Sequence, residues 1–470
     1  MIQTNIIYMY RWFSALFLAF ISILTYNVKK IKYNKDMLMI KEIKNNTLYF
    51  DGCNTVELAK QYGTPLYVLS ETSIVEKCTE IRDTFLNRYE RTRAAYASKA
   101  FLTLSMCKII EREGLCLDVV SGGELFTAIK ANFPSEKIEF NGNNKSVEEL
   151  ELAVDYNIGR IIVDGLDELS LIEEICREKN KKANILYRIT PGVKSDSHDY
   201  IVTGKKDSKF GIPLDDDVIF PAVEKAINSP YVNFMGFHFH VGSQLHNNES
   251  HIKALEIALK LIKDTFDKFG FIIPELNVGG GFGIRYTEED DKKPYAYFLD
   301  PMMEKIEKFS NKLNIKRPEI VIEPGRSIVG EAGITLYTVG TIKDIKGIRK
   351  YVSVDGGMTD NIRPALYQAK YEGIAANKAG EPKTDVVTIS GKCCESGDIL
   401  IKDAHVADLR RGDIFAILST GAYNFSMASN YNKNPIPAVV LVKDGKSRLI
   451  VKRQSYEQMI ENEIIPESLI

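Results

Sequence analysis

The chain has 470 residues, with 61 basic and 63 acidic side chains interspersed to a net charge of −2; without a long single-sign block, a nucleic-acid surface is not expected and a small-molecule partner is. That length admits one barrel of about 250 residues plus a second domain. Seven cysteines, irregularly spaced and without a C-x-x-C pair, argue against a disulfide framework and fit a reducing compartment, the cytoplasm.

Near the N-terminus Arg11 precedes an almost uninterrupted apolar run over residues 12–28, and Lys29, Lys30, Lys32 and Lys35 follow it. The run falls short of the ~20 residues that span a bilayer, lacks a small-x-small cleavage site and is positively flanked at both ends, which disfavours a signal peptide. It is either a membrane anchor or, the plainer expectation, an appended or mis-started leader over residues 1–36, with the working protein beginning at Met37 or Met39.

Residues 40–50 and 66–69 alternate like short strands, with Asp51-Gly52 and Gly63-Thr64-Pro65 as turn signals. From Thr72 helix-period and strand-period segments alternate, which predicts a parallel α/β architecture. Eight strands are expected, over residues 93–97, 116–120, 137–141, 160–164, 184–189, 233–240, 275–278 and 319–323. Their count predicts a closed (β/α)8 TIM-type barrel over residues 70–333. Short strands near 351–354, 386–390, 414–418 and 438–442, broken by Gly, Asp and Pro, then predict an all-β C-terminal domain over 334–470 that also takes in the N-terminal strands of 37–69.

In such a barrel the reacting groups sit at the C-terminal ends of the strands. Lys99 follows the first strand, at the end of a small, mostly apolar run. An amine held where water is scarce can form a Schiff base, although most lysines after a strand are solvated surface charges. Other polar groups gather at the same ends: Asp118, Asn141, Arg188, and then His238, His240 and Ser243. The run Gly279-Gly280-Gly281 is either a flexible loop or a backbone cradle for phosphate, and Gly325-Arg326 at the neighbouring strand end favours the cradle.

His238 and His240 are two apart and so share a face of a strand. A metal site is rejected, because the other strand ends offer glycines, serine and arginine in place of further ligands; the pair is either core or an imidazole stacked on a flat cofactor. Glu323 lies close to the glycines, where phosphate would repel it, so it must face another part of the ligand. A carboxylate that keeps a pyridine nitrogen protonated makes the ring an electron sink. Lysine, phosphate cradle, histidine and carboxylate together point to pyridoxal 5'-phosphate.

The segments around Lys99, Asp118–Glu124, His238–Gln244, Gly279–Gly283, Glu323–Arg326, Cys394–Asp398 and Gly421–Tyr423 resemble, in order and spacing, the barrel-type pyridoxal-phosphate decarboxylases, a family related to ornithine decarboxylase and alanine racemase. The resemblance runs from about residue 40 to the C-terminus. It implies that Lys99 carries the cofactor, that His240 stacks on its ring and that Glu323 bonds the ring nitrogen. Asp118, Arg188, Ser243, Gly279, Gly280, Gly281, Gly325, Arg326 and Tyr423 would complete the cofactor site. It further implies that Arg326, Arg363, Tyr367 and Tyr423 bind the substrate with its distal carboxylate, that Glu395 takes its distal ammonium, and that Cys394 donates a proton. Cys394 and Glu395 would come from the second subunit of a homodimer with shared active sites. The implied reaction is decarboxylation of meso-2,6-diaminopimelate to L-lysine and carbon dioxide, the final step of lysine biosynthesis. The alternatives are another basic amino acid as substrate (ornithine, lysine or arginine), racemisation on the same barrel, and a non-catalytic cofactor-binding relative.

Overall fold

The computed structural model describes residues 40–193 and 208–470; the leader expected over 1–36 lies outside the described residues. Lys41–Lys44 (β1) and Thr47–Phe50 (β2) form an antiparallel hairpin. Its turn is Asn45-Asn46, both at positive φ (47° and 65°), a conformation that asparagine tolerates better than most side chains. Cys53–Asn54 (β3) completes a small sheet of its own, whose Leu48 and Phe50 pack into one core with Leu66, Val68, Leu336 and Val440. Leu66–Ser70 (β4) is buried throughout and belongs to the large C-terminal sheet.

The barrel follows, with all eight expected strands in place. They are Thr92–Ala97 (β5), Cys116–Val119 (β6), Ile138–Phe140 (β7), Arg160–Val163 (β8), Ala183–Arg188 (β9), Val232–His238 (β10), Glu275–Asn277 (β11) and Glu319–Ile322 (β12). Each pairs in parallel with the next, and β12 closes on β5. Several end one or two residues earlier than the alternation suggests. Val120, Asn141, His240 and Glu323 lie beyond the ladder, where the chain turns toward the ensuing helix. Those turns end in caps: Thr103, Ser121 and Ser146 each accept a hydrogen bond from the first turn of the next helix, satisfying donors that the helix leaves open.

The period-2 alternation puts Ala95, Cys116 and Val321 together in a cluster inside the barrel, apart from the core beneath the helices. Deeper in lies a charged layer. Arg93 reaches Glu139, Glu275 and Glu319 at 3.3, 2.8 and 3.1 Å, and Arg160 meets Glu275 at 2.7 Å. Buried charges persist only when paired in this way.

The second domain contains Gly333–Ile345 (β13), Arg349–Val354 (β14), Gly373–Ala375 (β15), Asp385–Ser390 (β16), Ile399–Val406 (β17), Ile414–Ile417 (β18), Ala438–Lys443 (β19) and Lys446–Val451 (β20). Its sheet runs β17-β16-β14-β13-β4-β19-β20, with β18 pairing β13 and β15. The N-terminal strand β4 thus sits between β13 and β19, so both chain ends build this domain. Among the described residues no helix is long and apolar enough to cross a membrane.

Candidate active site

The C-terminal ends of the barrel strands open into a cavity of about 780 Å³, and Arg363, Tyr367, Tyr423 and Met427 from the second domain wall its other side. That volume lies within the range of sites for small ligands, about 300 to 1,000 Å³. Lys99 stands on the single turn Ser98–Ala100 after β5, between two buried neighbours, and its side chain lines the cavity; it is itself exposed, so the expectation of an amine held away from water is not met. The turn is tied to the second domain: Tyr423 N–H and Ser426 Oγ both donate to the Ala100 carbonyl at 2.8 Å.

Glu323 forms part of the cavity lining opposite. Its carboxylate accepts from Asn141 Nδ2 at 3.1 Å and Asn277 Nδ2 at 2.9 Å, and lies 3.0 Å from His238 Nε2. Burial works to raise this carboxyl, yet His238, by charge and hydrogen bond, and then His240 and Lys99 hold it well below the usual carboxylate range. Asp118 shares Asn141 Nδ2 at 2.7 Å, and burial followed by the charge on Glu323 pushes it well above that range. Of the two linked carboxyls, Glu323 keeps the negative charge.

The two histidines divide their tasks. His238 ends β10 and bonds Glu323, while His240, past the strand, accepts the Gly280 N–H on Nδ1 at 3.2 Å. Burial, reinforced by Lys99, keeps the His240 imidazole well below its usual pKa; it is therefore a neutral, flat ring in the cavity wall.

The glycine run separates as well. Gly281 (φ 96°) and Gly325 line the cavity. Gly279 and Gly280 do not, and their N–H groups are already donated to Asn277 Oδ1 and His240 Nδ1. A Cβ on Gly280 would fall 2.0 Å from the Glu323 carbonyl oxygen. These two glycines are required by the close approach of neighbouring backbone, and Gly281 and Gly325 of the expected cradle line the cavity.

Arg326, from the barrel, and Arg363, from the short helix Arg363–Tyr367, are both buried and both donate to the Tyr286 hydroxyl; Arg363 does so at 2.9 Å and also donates to Tyr371. Arg326 donates to Ser243 Oγ at 3.0 Å, and its guanidinium lies 4.6 Å from the Tyr423 ring. Among the described residues no carboxylate forms an ion pair with either arginine, whereas Arg188, also in the lining, has Asp164 at 3.7 Å. Two buried cations without carboxylate partners create a site for anions.

Cys394 and Glu395 lie on the loop between β16 and β17, exposed and outside the cavity lining. Asp398 fixes that loop by accepting from Cys393 N–H at 2.8 Å and Met358 N–H at 2.7 Å. Cys393 is buried, its thiol pushed up to about 11 by burial and by Asp398; Cys394 is the accessible member of the pair.

These residues fit pyridoxal phosphate on the structure's own terms. The Lys99 amine opens into a cavity holding an ionised carboxylate, a neutral imidazole, two cavity-facing glycines and an arginine whose buried Nε has no hydrogen-bond partner. Asn277, Tyr286 and Tyr371 have no role among the sequence-based expectations.

Residues 71–330 match the family described as "Pyridoxal-dependent decarboxylase, pyridoxal binding domain". Over 407 residues the chain is 50% identical to the diaminopimelate decarboxylase of Bacillus methanolicus, covering 87% of this chain and 94% of that one. It is 46% identical over 421 residues to the Bacillus subtilis (strain 168) diaminopimelate decarboxylase, covering 90% and 96%. Its structure is similar to that of the M. jannaschii diaminopimelate decarboxylase in co-complex with L-lysine, with a TM-score of 0.86 at 36% identity, covering 92% and 99%. The chain belongs to the pyridoxal-dependent decarboxylases, and within them to the diaminopimelate decarboxylase family.

Proposed function

We propose that this protein is a carboxy-lyase that converts meso-2,6-diaminopimelate to L-lysine and carbon dioxide, with pyridoxal phosphate as cofactor, in the final step of lysine biosynthesis. The observation that carries the substrate is the pair Arg326 and Arg363: two buried guanidiniums in one cavity, neither paired with a carboxylate among the described residues. A cofactor phosphate accounts for one, beside Ser243, Gly281 and Gly325. A substrate bearing a second carboxylate accounts for the other, and ornithine, lysine and arginine have none.

When bound, pyridoxal phosphate supplies the electron sink for the carbanion left as carbon dioxide departs. Lys99 holds it through Nζ, and Glu323, kept ionised by His238 and the two asparagines, holds a proton at the ring nitrogen. His240 offers a neutral face to the ring. Asp118 and Arg188 border the same space, and Tyr367 and Tyr423 border it from the second domain.

The reading includes a homodimer, because Cys394 and Glu395 stand outside their own chain's cavity. A partner's loop would then bring Cys394 as proton donor and Glu395 as the group for the distal ammonium. It also includes a cytoplasmic location, supported by seven free cysteines. The direct test is to incubate purified protein with pyridoxal phosphate and meso-diaminopimelate and to measure both products. Equimolar carbon dioxide and L-lysine are expected; carbon dioxide without lysine, or neither, refutes the assignment.

A further inference from the structure

Asn277 ends β11, is fully buried and does not line the cavity. Its amide nitrogen donates to Glu323 Oε1 at 2.9 Å and to Glu139 Oε2 at 3.0 Å, while its oxygen accepts the Gly279 N–H at 2.9 Å. This orientation is the only one that satisfies all three partners, because the reverse would set the amide oxygen against two carboxylates and the NH₂ against an N–H. One side chain therefore joins the carboxylate of the cavity wall, the charged layer below it and the first residue of the glycine loop.

We infer that Asn277 is a positioning residue: it holds Glu323 ionised and in place against the cofactor ring, fixes the glycine loop to that carboxylate, and is itself oriented by Glu139. The inference rests on the reading that Glu323 meets the ring nitrogen. An amide suits the position because it stabilises the Glu323 charge by a donated hydrogen bond without adding a cation that would neutralise it. A serine could not reach both carboxylates, and an aspartate would place a further anion among them.

Glu139 is the buried acceptor that the mechanism leaves unused. Arg93 stands 3.3 Å from it, and burial outweighs that cation, pushing Glu139 up to about 8. The ionisable groups facing Glu323 are His238, His240, Lys99 and Arg188 and the carboxyls of Asp118 and Glu139. Asn277 stands between Glu323 and Glu139, separating two of the three carboxyls.

The test uses Asn277→Asp, which is isosteric, and the double variant Asn277→Asp/Glu139→Gln, in which a glutamine amide can donate to the new carboxylate and repair the 139–277 contact. Three quantities are measured: the Kd for pyridoxal phosphate titrated into apoenzyme, the pH of the acid limb of kcat/KM, and Tm. Asn277→Asp removes the donor to Glu323 and the donor to Glu139 and adds an anion beside both, so Glu323 takes up its proton at higher pH. The acid limb should rise by about one pH unit and cofactor binding weaken about tenfold. The double variant should recover Tm yet keep the raised limb and the weakened binding. Recovery of all three together would overturn the inference, since it would make Asn277 merely structural, and so would a folded Asn277→Asp with the parental limb and Kd. Should Asn277→Asp not fold, the double variant decides alone. Glu323→Gln separates the underlying reading: if it leaves the visible spectrum and the acid limb of the parent unchanged, the role of Glu323 falls, and this inference with it.

Discussion

His238 Nε2 lies 3.0 Å from the carboxylate of Glu323, and both side chains are buried. The pair sets the charge of the cavity wall, since His238 is the largest influence opposing the burial that would raise Glu323. A carboxyl with a folded pKa below its unfolded value stabilises the protein above the unfolded pKa, and that contribution is lost as pH falls through the folded one. His238→Ala should therefore move the acid end of the stability profile to higher pH. Chemical denaturation at a series of pH values below 6 checks this, and an unshifted profile would assign the low Glu323 pKa to other groups.

Lys99 and Glu323 line the same cavity, and the proposed function has Lys99 bond the cofactor covalently while Glu323 faces its ring. Lys99→Ala should lose the imine absorbance of the purified enzyme and at least about a thousandfold in rate, the scale expected on removing a covalent catalyst. Absorbance spectra and single-turnover assays read both.

The positions of Cys394 and Glu395 predict complementation between subunits. Lys99→Ala and Cys394→Ala homodimers should each be nearly inactive; after dissociation and random remixing, about a quarter of parental activity should return, because half the dimers are mixed and each holds one intact site. No return of activity in a mixture shown to exchange subunits would mean that each site is built from a single chain.

The glycines offer a stability test. Gly280→Ala drives a Cβ to 2.0 Å from the Glu323 carbonyl oxygen, which the backbone relieves only by moving, and it should cost about 2 kcal/mol or more. Gly165→Ala, with nothing within 4 Å of the added Cβ, should cost within about 1 kcal/mol. Denaturant unfolding of the two variants compares them directly.

The barrel was legible because its signal is local: strand-period and helix-period segments alternate along the chain, each carrying its own pattern. The strand-end rule then placed Lys99, Asp118, His240, Glu323 and Arg326 in one cavity, where the structure has them. Asn277 was illegible for the opposite reason. Its partners lie at Glu139, Gly279 and Glu323, and no spacing within β11 announces that three strands converge on it. Tyr286 and Tyr371 likewise gain meaning only when the second domain brings Arg363 against the barrel. In the glycine run, sequence shows three permissive residues but not that the Gly279 N–H meets Asn277 Oδ1 and the Gly280 N–H meets His240 Nδ1.

Arg326 and Arg363, without a carboxylate partner among the described residues, set the substrate choice on which the proposed function rests. Carbon dioxide release should be measured side by side from meso-diaminopimelate, ornithine, lysine and arginine, with the parent enzyme and with Arg363→Ala. Substrates lacking a distal carboxylate leave a buried guanidinium unpaired, so the parent should prefer meso-diaminopimelate by more than about a hundredfold in kcat/KM, and Arg363→Ala should erase most of that preference. Faster turnover of ornithine or lysine by the parent, or a preference that survives Arg363→Ala, would contradict the proposed function.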